Sequence, residues 1–227
     1  VIVDERLVTY INSLDTGNTE ILDQIEKEAI ETYVPIIRKE MQQFLKLLLS
    51  IKKPAKILEV GTAVGFSALL MAEYNPAPCH ITTIENYEKR IPIARENFRR
   101  AGKENQITLL EGDAADILKT LEVPYDFIFM DAAKGQYIHF MPDILRLLAK
   151  DGVLVSDNVL QDGDIIESRF IVTRRNRTIH KRMRDYLYEL THNDELVTSV
   201  LPIGDGITVS TRIVPNQNER KDTPPAP

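Results

Sequence analysis

Two apolar runs in this 227-residue chain end in side chains that could bind a cation. Phe127-Ile128-Phe129-Met130 leads into Asp131, with Lys134 three residues on, and Val153-Leu154-Val155 leads into Ser156-Asp157-Asn158. If the runs are adjacent β-strands, their ends bring Asp131, Asp157 and Asn158 together. Two carboxylates so placed repel one another unless positive charge joins them. Three hard oxygen donors, with neither Cys nor His among them, suit Mg²⁺, which keeps its remaining positions for water or substrate oxygens. Each acid alone reads more readily as a cap or turn residue; the triplet with Lys134 beside it favours the metal.

A second group of polar residues follows three earlier apolar runs. The first run ends in Glu59-Val60-Gly61-Thr62-Ala63-Val64-Gly65-Phe66-Ser67, where glycines allow a ligand close to the backbone and the following helix offers free N–H groups. It is neither a dinucleotide fingerprint, which would need glycine at Ala63, nor a phosphate-binding P-loop. The second ends at Glu85, 24 residues after Gly61, where a carboxylate could accept hydrogen bonds from ribose hydroxyls. The third ends in Glu111-Gly112-Asp113-Ala114. Helix capping and helix-end charge explain Glu85 and Asp113 singly. Together the three predict a nucleoside pocket.

These residues need a parallel sheet to align them. Apolar runs at Ile57–Val60, Ile81–Ile84, Ile107–Leu110, Phe127–Met130 and Val153–Val155 alternate with helical patterns at Phe66–Tyr74, Glu88–Ala101, Ala114–Leu121 and Tyr137–Ala149. That alternation predicts βαβ units, with ligands outside the carboxyl ends of the strands. A helix near Arg177–Leu190 then precedes strands Glu195–Leu201 and Ile207–Ile213, whose five-residue connection is too short for a parallel crossover. The expectation is an α/β, Rossmann-like class I methyltransferase fold, a mostly parallel seven-stranded sheet with an antiparallel terminal strand pair. Residues 1–51 form extra N-terminal helices of the same domain, 52–213 the catalytic domain and 214–227 a flexible tail.

On Glu59–Ser67, Met130-Asp-Ala-Ala-Lys134 and Ser156-Asp-Asn158, the chain resembles the divalent-metal-dependent O-methyltransferases, the catechol and caffeoyl-coenzyme A group, over about Val34 to Arg212. Within that group, the segment Arg174–Arg184 is similar to the bacterial branch that methylates 5-hydroxyuridine in the tRNA anticodon to 5-methoxyuridine. The resemblance implies S-adenosylmethionine as cofactor, with Ile36, Gly61, Ser67, Glu85, Asp113, Ala114 and Asp131 around it. It implies Mg²⁺ or another divalent cation on Asp131, Asp157 and Asn158, catalysis by Asp131 and Lys134, the latter as general base, and a homodimer. A catechol-type small-molecule methyltransferase is the first alternative, and a non-catalytic nucleotide- or RNA-binding protein the second.

The charge distribution bears on that choice. The net charge of −6 comes from 28 basic and 34 acidic residues and argues against nucleic acid. Yet Arg169, Arg174, Arg175, Arg177, Lys181, Arg182 and Arg184 lie together with no acid among them, leaving 21 basic against 34 acidic groups elsewhere. On the helix they enter, Ile179, Met183, Leu187 and Leu190 read as the apolar face and His180 as a surface residue. Arg174, Arg175, Arg177 and Lys181 are the candidate RNA contacts, although a solvated helix face accounts for them as well. No apolar stretch approaches the length of a membrane span, and the single Cys79 excludes an internal disulfide, so a cytoplasmic protein is expected.

Overall fold

The computed structural model describes residues 3–168 and 170–214. The fold contains a seven-stranded sheet. The chain divides into two compact units that meet in sequence between Ala114 and Ala115.

The first unit opens with α1 (Glu5–Ser13), α2 (Glu20–Glu31) and α3 (Lys39–Lys52), then alternates β1 (Lys56–Val60), α4 (Phe66–Tyr74), β2 (His80–Glu85), α5 (Ile91–Arg100) and β3 (Ile107–Glu111). β1 pairs parallel with β2, and β2 with β3. Four of the five β1 residues are buried, the continuous apolar pattern of a strand covered on both faces. α4 is buried along Phe66–Ala72 because it is apolar all round, and α2 and α3 both pack against it. Between α2 and α3 a polar knot replaces apolar packing: Gln42 Nε2 and Lys39 Nζ donate to the two oxygens of the buried Glu26 at 2.9 and 2.5 Å. α1 buries none of its residues.

The second unit holds α6 (Ala114–Thr120), β4 (Tyr125–Met130), a 3-10 turn at Lys134–Gln136, α7 (Tyr137–Leu147), β5 (Leu148–Ser156), a 3-10 segment at Gln161–Ile166, α8 (Arg177–His192), β6 (Leu196–Leu201) and β7 (Ile207–Arg212). β4 and β5 run parallel with Met130 opposite Ser156, whereas β7 pairs antiparallel with both β5 and β6. The short β6–β7 connection makes that pair antiparallel, as expected from its length. α7 stops two residues before the predicted Ala149, and β5 starts directly at Leu148, because Leu148 and Ala149 are buried in extended backbone.

Among the described residues no helix is long and apolar enough to cross a membrane. Of the tail predicted from residue 214, only Val214 lies within the described residues, and Arg169 of the basic run lies outside them.

Candidate active site

In the first unit the segment after β1 is shaped by its own hydrogen bonds. Gly61 and Thr62 N–H both donate to Ile84 O at 3.1 Å, and Gly65 N–H donates to Thr62 O at 2.8 Å. Gly65 has φ +85°, and a Cβ there would lie 2.4 Å from Phe98 Cε1, so only glycine lets the loop turn into α4 against α5. Asn97 on α5 holds the loop from the other side, its Nδ2 donating to Val64 O at 2.8 Å.

Glu85 stands at the end of β2, 8% exposed. Its Oε1 accepts the N–H groups of Asn86 and Tyr87 at 3.0 and 2.9 Å, and its Oε2 accepts Ala63 N–H at 2.7 Å. Three backbone donors therefore orient the carboxylate and leave one acceptor site, on Oε2, for a hydroxyl donor. Ser67 is tied elsewhere: its Oγ donates to the fully buried Glu59 at 2.5 Å, and Thr83 Oγ1 donates to the other Glu59 oxygen at 2.5 Å. Glu59 thus links the start of α4 to β2, a role the sequence reading did not assign. Gly112, at φ +145°, donates to Glu85 O at 2.9 Å and leads to the exposed Asp113 and half-buried Ala114 at the start of α6. Ile36 lies half-buried in the segment before α3.

In the second unit, the ends of β4 and β5 bring Asp131 and Asp157 together. Asp157 N–H donates to Met130 O at 2.9 Å, and Asp157 is 4% exposed. Burial pushes the Asp131 carboxyl up to about 6, against the pull of Lys134. Burial, and then the Asp131 charge beside it, push Asp157 up to about 7. Asn158 follows at φ +58°, a backbone conformation that asparagine tolerates better than most residues, and its N–H donates to Asp157 Oδ1 at 2.7 Å. Two buried tyrosines support these strand ends. Tyr137 Oη lies 3.2 Å from Met130 O and 3.1 Å from Asp157 O, and Tyr186 Oη lies 2.6 Å from Ser156 Oγ. Burial raises both phenols further above their ordinary value, so both are neutral hydrogen-bonding struts.

Lys134 starts the 3-10 turn after β4, and its Nζ donates to Asp205 Oδ2 at 2.7 Å. Asp205 belongs to the β6–β7 connection, is 4% exposed, and adds its charge to those acting on Asp157. The sequence reading passed over it as a turn residue.

The basic run differs from its sequence reading in two ways. α8 buries His180, Met183, Tyr186 and Leu190, so the apolar face is rotated from the predicted one, and His180 is 3% exposed rather than on the surface. Two of the four candidate RNA contacts are engaged within the protein. Arg177 Nε donates to Val172 O at 3.2 Å, and Lys181 pairs with Asp185 at 2.5 Å, an acid just beyond the basic run. Arg174, Arg175 and Arg184 are exposed and make no ion pair among the described residues.

A parallel sheet closed by an antiparallel strand pair, with its acids and glycines at the strand ends, defines an α/β protein of the class I methyltransferase fold. The sequence model of a family described as O-methyltransferase matches residues 12–213, and the chain belongs to that family. The catechol O-methyltransferase of Niastella koreensis is 33% identical over 169 residues, covering 72% of this chain and 76% of that one. A crystal structure from Staphylococcus aureus, provisionally named a caffeoyl-CoA O-methyltransferase, matches with TM-score 0.84 and 30% identity over 92% of this chain and 100% of that one. The SAH-bound methyltransferase of Podospora anserina matches with TM-score 0.82 and 27% identity over 92% of this chain and 94% of that one.

Proposed function

We propose that this chain is an S-adenosylmethionine-dependent O-methyltransferase whose acceptor presents two adjacent oxygens to a divalent cation. The observation that carries the reading is the charge imbalance at the ends of β4 and β5. Asp131 and Asp205 both act on Asp157, and Lys134, which is bonded to Asp205, acts on both Asp131 and Asp157. Among the described residues no cluster of three or more His, Cys, Asp and Glu has metal-binding geometry. The donor set proposed is the carboxylates of Asp131 and Asp157 with the Asn158 amide, three hard oxygen donors that fit Mg²⁺ or Mn²⁺.

When bound, the sulfonium cofactor supplies an activated methyl, and the cation lowers the pKa of an acceptor hydroxyl. Asp131, Asp157 and Asn158 hold the cation. Glu85 would accept a ribose hydroxyl, while the Gly61–Gly65 backbone and the Ser67 region would face the methionine end. Ile36 covers that end, and Asp113 and Ala114 border the adenine. Lys134 would take the acceptor hydroxyl's proton.

For the acceptor, the catechol relative supports a small phenol with neighbouring oxygens. A second reading, 5-hydroxyuridine of a tRNA anticodon, rests on a separate observation. The exposed Arg174, Arg175 and Arg184 accompany Phe170 and Ile171, which are 86% and 71% exposed. Exposed cations following an exposed aromatic in one segment suit phosphates and bases better than a small phenol.

The test incubates the protein with S-adenosylmethionine and Mg²⁺ on catechol and on hydroxyuridine-containing tRNA, with mass spectrometry of both products. Methyl transfer should stop in excess chelator and fall by at least about 10³-fold in Asp131→Ala, while cofactor binding by calorimetry persists. Full activity under either condition would overturn the metal-assisted reading, and the product identifies the acceptor.

A further inference from the structure

Asp205 is the buried group that the sequence pattern disguised as a hairpin turn, and it joins three segments of the second unit. Its Oδ2 accepts Lys134 Nζ at 2.7 Å, across 71 residues of sequence. Its Oδ1 accepts the Asp162 N–H, and its backbone O accepts Leu160 N–H at 3.0 Å. The next residue extends the clamp, Gly206 O accepting Val159 N–H at 2.9 Å. A Cβ on Gly206, at φ +79°, would lie 2.2 Å from Leu160 Cγ, so the hairpin approaches the segment after β5 as closely as a glycine allows. That segment begins at Asn158. One side chain therefore sets where the Lys134 Nζ sits and also restrains the loop carrying the third metal donor. A carboxylate that is 4% exposed has little freedom to choose other partners, and its two oxygens are directed at two different elements.

We propose that Asp205 is a positioning residue for methyl transfer: through its buried carboxylate it holds Lys134 beside the Asp131–Asp157 pair and fixes the Asn158 loop. The inference rests on the reading above, in which Lys134 receives the acceptor's proton, and it assigns to the β6–β7 hairpin a part in that step.

The test compares full-length Asp205→Asn, Lys134→Met and the double variant. In steady-state methyl transfer with S-adenosylmethionine, Mg²⁺ and the methylated acceptor, Asp205→Asn lowers kcat on the order of 10²-fold, while KM for S-adenosylmethionine stays within about twofold. The double variant is no slower than Lys134→Met alone, since both changes remove one arrangement. Asp205→Glu, which restores the charge, recovers part of the loss. A purely structural role would instead raise the cofactor KM, and restored charge would not recover kcat. Wild-type kcat in Asp205→Asn, or single losses that multiply in the double variant, would overturn the proposal.

If the wild-type protein methylates neither catechol nor tRNA, the functional reading fails by itself. Thermal melting of the ligand-free variants then decides the positioning contact separately. The double variant should lose no more melting temperature than the worse single variant, and additive losses would overturn the contact.

Discussion

At the scale of single residues, the site is organised by how few partners its buried charges have. Asp131 and Asp157 have carboxyls raised to about 6 and about 7, against an ordinary 3.8. Between pH 4 and 7 the folded protein therefore holds protons that the unfolded chain has released, so folding stability falls as pH rises through that window. The penalty is on the order of a few kcal/mol once both acids are ionised. A cation on the pair reverses it. Mg²⁺ should raise the melting temperature by several degrees at pH 8 and by little at pH 5, where the acids are protonated. A gain that is equal at both pH values would place the cation elsewhere. Glu59 is the corresponding buried acid of the first unit, with the hydroxyls of Ser67 and Thr83 as donors. Removing it as Glu59→Ala should cost about 2–3 kcal/mol in denaturant unfolding, because both hydroxyls lose their acceptor.

At the scale of elements, the loops after the strands depend on the helices that brace them. The turn from β1 into α4 needs a glycine because Phe98 of α5 occupies the space where a side chain would begin. Gly65→Ala is expected to destabilise the protein by about 2–4 kcal/mol, combining a strained φ with displacement of a buried ring. Cofactor affinity measured by calorimetry should fall with it; unchanged stability would mean that Phe98 moves freely. The limits of β1, α4, β3 and α6 were legible within a residue or two, because strand apolarity and helix amphipathicity are local patterns. The α8 face was not. Ile179, Met183, Leu187 and Leu190 satisfy helical spacing, yet the buried stripe is His180, Met183, Tyr186 and Leu190. A histidine and a tyrosine carry apolar surface that a hydrophobicity pattern discounts, and packing decides which way the helix turns.

At the scale of the whole molecule, two surfaces stand out. α1 exposes Leu7, Tyr10, Ile11 and Leu14, between 50% and 63% each, at helical spacing. The homodimer that the family resemblance implies is expected to bury this stripe. Sedimentation or light scattering should show a dimer that Leu7→Glu with Ile11→Glu converts to monomer. An unchanged dimer would assign the interface elsewhere, and a monomeric parent would remove the expectation. The other surface carries Arg174 and Arg175. Charge reversal of both should weaken tRNA binding and flatten its salt dependence by up to about two counterions, leaving catechol turnover intact. If RNA affinity and its salt slope stay the same, these arginines are ordinary surface.

By itself the sequence determined the alternation of strands and helices, the antiparallel closing pair, and the positions at which acids, amides and glycines leave the strands. All of these follow from apolar periodicity and from the short reach of turns. Tertiary structure decided how those groups are shared. Lys134 meets Asp205 across 71 residues, Glu59 meets Thr83 across 24, and Asn97 meets Val64 across 33. Tyr137 and His180 are buried although nothing near them in sequence requires it. A local pattern specifies which side chains emerge at a strand end. The partner that satisfies each buried charge comes from another part of the chain, selected by packing and by the cost of leaving that charge unpaired.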